Sequence, residues 1–263
     1  MAQPARLSPA LTVLGSGTAV PRADRGTSAY LFSDGLGGQW LVDLGPGVLQ
    51  RAARAGCSLT ELTGVLVTHV HPDHSADLAA LAFGLCSPAL AWRRAPVEVC
   101  GEARVGLLLA RLRNAWPGWL NPGAPRLIFR PVQAGPLPWP GTPRITAFGV
   151  AHHASSLGYR VELPDGFVLA FSGDTGEGGE LEALGRDADL FVLEAAASER
   201  RPIPGHLTPR QAGAIAARAG ARTLLLTHFY PDVLEDPIEE QARETFEGRL
   251  LLAEDGLRLP LVR

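Results

Sequence analysis

The stretch that decides the fold reads GVLVTHVHPDHSADL, residues 64–78. An apolar run ends at a threonine, and the histidines and carboxylate of the sequence HVHPDH follow directly. In an extended turn, alternate side chains point to the same side, so His69 and His71 can hold one ion. Asp73 and His74 then point toward a second position. This spacing of imidazole and carboxylate groups after a strand predicts a metal site.

The ligands of this site must be histidines and carboxylates, because cysteines are few. Cys57, Cys86 and Cys100 lie far apart in the sequence and form no CxxC pair, which argues against a thiolate site and a disulfide framework. Imidazole and carboxylate ligands suit zinc, and also manganese or iron. Three of the 7 histidines lie in the motif, so further ligands are sought among the other four: His152, His153, His206 and His228.

The bulk composition is that of an ordinary globular protein. Hydrophobic residues make up 46% of the 263 residues, which supplies a buried core. The formal net charge of −3 argues against broad electrostatic binding of nucleic acid, and the absence of lysine excludes lysine-based chemistry. No apolar run approaches the roughly 20 residues that cross a bilayer, and Met1–Ala10 does not resemble a signal peptide. We therefore expect a cytoplasmic protein with no membrane partner.

Glycine and proline divide the chain into short elements. Short stretches rich in Val, Leu, Phe and Thr and closed by turn residues predict strands at Leu11–Leu14, Thr27–Phe32, Gln39–Asp43, Gly64–Thr68, Val97–Cys100, Arg126–Val132, Arg144–Val150, Leu157–Leu163, Phe167–Ser172, Leu190–Leu193, Arg222–Thr227 and Arg249–Ala253. Helical periodicity predicts helices at Val48–Ala55, His74–Leu85, Ala103–Asn114, Pro209–Ala219 and Pro237–Glu247. Strand hairpins followed by alternating helices and strands predict sheets covered by helices, in a single domain of residues 1–263.

Two proline- and tryptophan-rich stretches, Asn114–Pro125 and Gln133–Pro143, interrupt this pattern. Proline at this density ends helices and strands, so both stretches are predicted to be loops. They either pack on the surface without a role in binding or form a lid over a substrate, in which case they supply Trp116, Trp119 and Trp139.

The H-x-H-x-D-H motif after a strand resembles the signature of the metallo-β-lactamase superfamily. Other segments are similar to the family's motifs and follow in its order. They are the glycine-rich turn at residues 14–21, the D-x-G-x-G segment at 41–47, the third-histidine motif at 150–152 with Gly-Tyr-Arg at 158–160, Ser-Gly-Asp-Thr at 172–175 and Leu-Thr-His at 226–228. The third-histidine segment looks like that of the tRNase Z-like branch. The resemblance extends from about residue 11 to residue 230.

This resemblance implies an α/β protein of the four-layer αββα type, with two divalent metals at one edge of the sheets. The implied ligands are His69, His71 and His152 for the first metal, Asp73, His74 and His228 for the second, and Asp174 as a bridge between them. Two such ions roughly 3.5–4 Å apart share a hydroxide that serves as the nucleophile. His153 is expected beside the ligands or at the surface. Asp77 is expected on a helix surface or behind a ligand imidazole.

The tRNase Z-like branch also implies catalytic residues. Leu193–Ala196 resembles its glutamate motif, and His206–Thr208 resembles its H-S-T segment with leucine in place of serine. In the family this histidine faces the scissile phosphate, so His206 is implied as a proton donor or oxyanion stabiliser supported by Glu194. Asp73 is counted as catalytic as well as metal-binding. In the structural alternative, the glutamate faces solvent and the histidine caps a helix.

The reaction implied by this branch is phosphodiester cleavage. In tRNase Z a long tRNA-gripping arm lies between the third histidine and the bridging aspartate, whereas only 21 residues, 153–173, lie there in this chain. We therefore expect a small phosphodiester, such as a cyclic nucleotide, rather than tRNA. A basic pocket around Arg160 would favour phosphate, and an apolar pocket around the tryptophans would favour a lactone.

Three alternatives remain open from the sequence: tRNA 3′-end processing, lactone or thioester hydrolysis on the same metals, and a metal-binding sensor without turnover. The expected partners are a small phosphodiester or an RNA end. A homodimer is expected from the general frequency of dimers.

Overall fold

The computed structural model describes residues 8–93, 95–120, 126–137 and 143–263. Its first sheet contains β1 (Ala10–Gly15), β2 (Ala29–Ser33), β3 (Gln39–Val42), β4 (Leu62–Leu66), β5 (Val97–Gly101), β6 (Leu127–Pro131) and β14 (Arg258–Pro260). Its second sheet contains β7 (Gly135–Pro136), β8 (Arg144–Gly149), β9 (Leu157–Glu162), β10 (Val168–Phe171), β11 (Leu190–Glu194), β12 (Thr223–Thr227) and β13 (Arg249–Leu252). The spatial orders are β14-β1-β2-β3-β4-β5-β6 and β13-β12-β11-β10-β9-β8-β7.

Helices cover the outer faces of both sheets. They are α1 (Val48–Arg54), α2 (Pro72–Ser75), α3 (Leu78–Leu85), α4 (Ala103–Ala115), α5 (Leu181–Leu184), α6 (Pro209–Ala219) and α7 (Ile238–Arg243), with 3-10 turns at Pro88–Leu90 and Val233–Glu235. The longest described helix, α4, has 13 residues, and no helix in the described ranges is both long and apolar enough to cross a membrane.

Three apolar clusters fill the three spaces between these layers. Alternate residues of the strands meet between the sheets, where Phe32 of β2 lies 6.2 Å from Phe171 of β10, measured between ring centroids. A second cluster joins the first sheet to α1, α3 and α4, and a third joins the second sheet to α5, α6 and α7. The predicted αββα sandwich is therefore confirmed.

The carboxyl ends of the parallel strands meet at one edge of the sandwich. In the first sheet β3, β4, β5 and β6 are parallel, and in the second sheet β10, β11, β12 and β13 are parallel. The backbone amide of Leu157 donates to the carbonyl of Thr68 at 3.0 Å and so joins the two sheets at this edge. Segments that are distant in the sequence are thereby brought together there.

The structure differs from the sequence-based elements in two respects. The predicted helix His74–Leu85 is two helices, because the chain breaks at Ala76 and Asp77 and the amide of Asp77 donates to the carbonyl of Leu44 at 2.8 Å. The short elements β7, β14 and α5 were not predicted. The two strands contain glycine or proline and have no more than three residues, so they carry no period-two pattern.

Candidate metal centre

Every residue of the predicted ligand set lies at this shared edge. His69, His71, Asp73 and His74 follow β4, His152 precedes β9, Asp174 follows β10 and His228 follows β12. Three groups of side chains each have ligand atoms within 4.8 Å of one another. The first contains His69, His71, His152 and Asp174, the second contains Asp73, His74 and His228, and a third, overlapping group contains Asp174, His206 and His228. The first two are called the ligand groups below. The fold thus brings together the two predicted sets.

Asp174 lies between the two groups, and its two carboxylate oxygens face different histidines. Oδ2 is 3.7 Å from Nε2 of His69 and 3.9 Å from Nε2 of His152. Oδ1 is 3.2 Å from Nε2 of His74 and 3.4 Å from Nε2 of His228. This is the placement that a carboxylate bridging two cations requires.

The imidazoles are oriented with Nε2 toward this carboxylate. Nδ1 of His74 is 2.8 Å from Oδ2 of Asp43, and Nδ1 of His152 is 2.9 Å from the carbonyl oxygen of Gly205. Each of these partners is an acceptor, so Nδ1 carries the proton and the lone pair of Nε2 points inward. Such a hydrogen bond from the outer nitrogen is usual for a metal-binding histidine.

Buried nitrogens without hydrogen bonds mark the same place. Nε2 of His69, Nε2 of His74 and both ring nitrogens of His228 are buried and make no hydrogen bond with any residue in the described ranges. Buried polar atoms are normally paired, because leaving one unpaired costs about 1–3 kcal/mol. Lone pairs that converge on buried carboxylates fit divalent cations bound to nitrogen and oxygen ligands.

The charge balance points to the same conclusion. Burial lowers the pKa of His74, but Asp174 and then Asp43 raise it, and the pKa lies well above its usual value. Burial and the neighbouring His74 hold the pKa of His69 well below its usual value. The edge therefore contains buried carboxylates that attract positive charge and at least one imidazole that stays neutral. Divalent cations satisfy both conditions.

Asp43 is the supporting residue whose role the sequence did not reveal. Its Oδ1 accepts from the amide of Thr68 at 2.8 Å and from the hydroxyl of Thr68 at 3.0 Å. The hydroxyl of Thr68 in turn lies 3.0 Å from Nδ1 of His69. Through these bonds one carboxylate orients a histidine of each group. Asp43 has a φ of 63°, a value that is uncommon outside glycine and that often marks a functional position. This backbone angle is visible only in the structure.

The two adjacent histidines after β8 have different surroundings. His152 is half-buried and belongs to the first group, whereas His153 is exposed. Nε2 of His153 is 2.7 Å from Nε2 of His71, so its ring lies at the outer side of the cluster. The structure thus places His152 with the predicted ligands and His153 beside them.

Glu194 and His206 form a hydrogen-bonded pair next to both groups. Oε1 of Glu194 is 2.7 Å from Nδ1 of His206 and also accepts from the amide of Thr175 at 2.8 Å. Oε2 accepts from the amides of Ala196 and Leu207 at 2.9 and 3.2 Å. Glu194 is 1% exposed, so the alternative in which it faces solvent is wrong.

The His206 ring lies against both halves of the cluster. Its centroid is 4.9 Å from that of His152 and 5.8 Å from that of His228. Burial lowers the pKa of His206, but the hydrogen bond and the charge of Glu194 raise it, and the pKa is higher than usual. Leu207, which replaces the family's serine, is fully buried in the apolar cluster under α6.

Tyr230 is a neighbour of the cluster that the sequence analysis missed. Its ring centroid is 6.0 Å from those of His206 and His228. It follows the last histidine by two residues, and no spacing rule distinguishes such a tyrosine from a core aromatic residue.

Two predicted supporting residues have other roles. Asp77 does not lie behind a ligand imidazole, because its carboxylate accepts from the amides of Gly47 and Leu49, both at 3.1 Å, and so caps α1. Arg160 does not form a basic pocket at the metal edge, because its guanidinium donates to the carbonyls of Leu184 and Arg186 at 3.1 and 2.7 Å.

The tryptophans of the first loop lie against α3. Trp116 and Trp119 are 50% and 64% exposed, and with Phe83 they line an apolar groove whose walls also come from residues 79, 80 and 120. None of the predicted ligands lines this groove. Trp139 lies outside the described residues. A lid function stays a prediction.

Comparisons with known proteins establish the class to which this fold and site belong. The family model described as "Beta-lactamase superfamily domain" matches residues 39–229. The chain therefore belongs to the β-lactamase superfamily and is a hydrolase with the metallo-β-lactamase fold, a fold that binds divalent metals.

Individual relatives cover nearly the whole chain. It is 33% identical to an uncharacterised protein, Rv1339, of Mycobacterium tuberculosis (strain ATCC 25618 / H37Rv), over 90% of this chain and 87% of the relative. It is 32% identical to a ribonuclease Z of Thermobifida fusca (strain YX), over 95% of this chain and 93% of the relative. The structure matches the metallo-β-lactamase fold protein YhfI from Bacillus subtilis with a TM-score of 0.82 and 24% identity, covering 96% of this chain and 99% of that one.

Proposed function

We propose that this protein is a metal-dependent phosphodiesterase that hydrolyses a small phosphodiester such as a cyclic nucleotide. The observation that carries the proposal is the Glu194–His206 pair beside both ligand groups. Hydrolysis of a phosphodiester needs a proton for the leaving oxygen, and a histidine with a raised pKa beside the metals supplies it.

The two ligand groups would hold two divalent cations, and bound cations would supply an activated water and neutralise charge on the phosphoryl group. We infer zinc in preference to manganese or iron, because histidine nitrogens dominate both groups. Asp174 would contribute a carboxylate oxygen to each position, and Asp73 would contribute a carboxylate to the second.

Glu194 contacts one nitrogen of the His206 imidazole, and the other nitrogen acts on the substrate. Because Nδ1 is bonded to Glu194, Nε2 is left to donate a proton to the leaving oxygen or to stabilise the phosphoryl charge. The two backbone amides that donate to Oε2 of Glu194 fix the direction of that carboxylate.

The short connection between His152 and Asp174 is compatible with a small substrate. That connection contains β9, β10 and the five residues 163–167 between them, which form a tight turn. It has no arm that would grip a tRNA. The ribonuclease Z relative supports a second candidate, cleavage at an RNA 3′ end, because the similarity covers 95% of this chain.

The test is a set of hydrolysis assays on metal-loaded protein. We expect turnover of bis-p-nitrophenyl phosphate and of 3′,5′-cyclic or 2′,3′-cyclic nucleotides, and little cleavage of a precursor tRNA with a 3′ trailer. Efficient cleavage of the precursor would favour the second candidate. Opening of lactones without turnover of any phosphodiester would overturn the proposed substrate class.

His206→Ala should lower kcat by about 10²-fold or more while the metal content stays near that of the wild type. Arg160→Gln is the matched control, because this cation points to backbone carbonyls and not to the metal edge. Its kcat should stay near that of the wild type. Loss of metal from His206→Ala would instead make His206 a ligand or a structural support.

A further inference from the structure

A cavity of about 690 Å³ lies beside the first sheet, apart from the metal centre. Its walls come from β1, from residues 22–26, from α1 and from residues 255–258 near the start of β14. Its volume is within the roughly 300–1,000 Å³ typical of small-molecule sites. None of the predicted metal ligands, and neither residue of the Glu194–His206 pair, lines it.

Arginine dominates the charged lining of this cavity. Four arginines, Arg22, Arg51, Arg54 and Arg258, face two carboxylates, Asp24 and Asp255. Asp24 forms an ion pair with Arg22, in which Nε donates to Oδ1 at 2.9 Å and Nη2 donates to Oδ2 at 3.1 Å.

Asp255 accepts hydrogen bonds from neutral groups. Its Oδ1 accepts from the amide and the hydroxyl of Ser16, both at 2.9 Å, and its Oδ2 accepts from the amide of Gly26 at 2.7 Å. Asp24 is paired with Arg22, whereas Asp255 attracts Arg51, and four arginines against two carboxylates leave the cavity with an excess of positive charge.

Among the described residues, the three cavity arginines other than Arg22 have no anionic hydrogen-bond partner. Arg51 donates only to neutral oxygens, the hydroxyl of Thr27 at 3.3 Å and the carbonyl of Pro46 at 3.2 Å. Its Nε is buried without a hydrogen bond to any residue in the described ranges. The side chains of Arg54 and Arg258 are exposed and make no hydrogen bond or ion pair with the described part of the chain.

The arrangement is unfavourable for the protein alone. Arg51 and Arg54 are three residues apart on α1, where side chains are neighbours and like charges repel. Burial lowers the pKa of Arg51, Asp255 and then Asp77 raise it, and Arg54 makes a smaller contribution that lowers it, so that the pKa lies below its usual value. An anion in the cavity would relieve both effects.

We infer that this cavity binds a small polyanion that carries phosphate groups, of the nucleoside diphosphate class, at a site separate from the metal centre. Guanidinium groups bind phosphate oxygens through paired hydrogen bonds, and several of them around one cavity match a diphosphate better than a single charge. The cavity volume leaves room for the nucleoside beside the phosphates. This inference does not depend on the proposed phosphodiesterase activity.

The experiment is calorimetric titration of the metal-loaded protein with ADP at low salt. The test variant is Arg54→Gln/Arg258→Gln, which removes two exposed cavity arginines and should leave the Tm unchanged. The control variant is Arg104→Gln/Arg111→Gln, which removes two exposed arginines from α4. A third variant, Asp174→Ala, changes the proposed metal centre and no residue of the cavity lining.

We expect the wild type, the α4 variant and Asp174→Ala to share an ADP site that the cavity variant binds roughly ten-fold more weakly or loses. Wild-type binding by the cavity variant would overturn the inference. So would binding that only Asp174→Ala abolishes, because ADP would then sit at the metals. Binding of single-stranded RNA but not ADP through the same arginines would also contradict the proposed ligand class.

Discussion

At the scale of single residues, the ligand positions depend on a carboxylate that binds no metal in our proposal. Asp43 contacts His74 directly and His69 through the hydroxyl of Thr68. Because these histidines belong to different ligand groups, one side chain sets the tautomer of an imidazole in each. Its effect on metal binding should therefore extend to both ions.

Asp43→Asn should weaken the binding of both ions by about 10–100-fold, because an amide nitrogen cannot accept the proton of His74 Nδ1. Competition with a chromogenic chelator measures the affinities. Asp77→Asn is the matched control, since it alters only the cap of α1 and should cost roughly 1 kcal/mol of stability with the affinities retained. Two ions bound with wild-type affinity in Asp43→Asn would refute the role of Asp43.

A second residue-scale prediction concerns the cysteines. Burial raises the pKa of the Cys57 thiol to about 12 and also raises the pKa of Cys100. The thiolate is the reactive form, so at pH 8 only about one Cys57 in 10⁴ is ionised. With a disulfide reagent, the half-buried Cys86 should react first, and Cys57 and Cys100 should react only after unfolding. Rapid labelling of native Cys86→Ser protein would contradict this.

At the scale of elements, the turn between β3 and α1 touches the turn after β4. The α-carbon of Gly45 lies so close that a Cβ there would be 1.8 Å from the carbonyl oxygen of Asp73 and 2.5 Å from Oγ1 of Thr27. Asp77, at the start of α3, caps α1 in return. The helix predicted across residues 74–85 is interrupted where these contacts are made.

Gly45→Ala should therefore shift the Asp73 backbone, lower the content of the second metal and destabilise the fold by about 1–3 kcal/mol. Metal analysis and urea denaturation measure the two effects. Gly149→Ala in β8 is the control, because among the described residues its new Cβ would meet only Oε2 of Glu180, at an ordinary contact distance of 3.5 Å. A Gly45→Ala protein with full metal content would show that the contact does not position Asp73.

At the scale of the whole molecule, the proposed metal centre joins the two sheets. His69, His71, Asp73 and His74 come from the first sheet, and His152, Asp174 and His228 come from the second. Each ligand group contains residues from both sheets. Bound cations should therefore stabilise the assembled sandwich and not merely one of its turns.

Removal of the metals by a chelator should lower the Tm by about 5 °C or more for each site. A site saturated at 100 times its Kd contributes about 2.7 kcal/mol, and each kcal/mol shifts the Tm of a domain of this size by roughly 2–4 °C. Differential scanning calorimetry before and after re-addition of zinc measures the shift. An unchanged Tm in metal-free protein would mean that no cation joins the sheets.

Pairing of subunits stays a separate prediction, for which light scattering gives the mass.

The sequence by itself determined the αββα class, most of the strands and the residues of the proposed ligand set. The four ligands after β4 could be predicted from local backbone geometry, because they lie within six consecutive positions. The αββα class and the ligands His152, Asp174 and His228 were implied by the resemblance to the metallo-β-lactamase superfamily. The buried alternation of the strands is likewise a local pattern. Elements such as β7, β14 and α5 lack such a pattern. They form because they pair with, or pack against, neighbouring strands and helices.

Only the tertiary structure decided the supporting contacts. It placed Asp43 behind two imidazoles, used Asp77 as a cap, turned Arg160 away from the metals and gathered the cavity arginines from three segments of the chain. These outcomes depend on distances between residues far apart in sequence, and a carboxylate or guanidinium carries no local sign of its partner. The physical reason is that hydrogen bonds and charge pairs are set by which groups packing brings together.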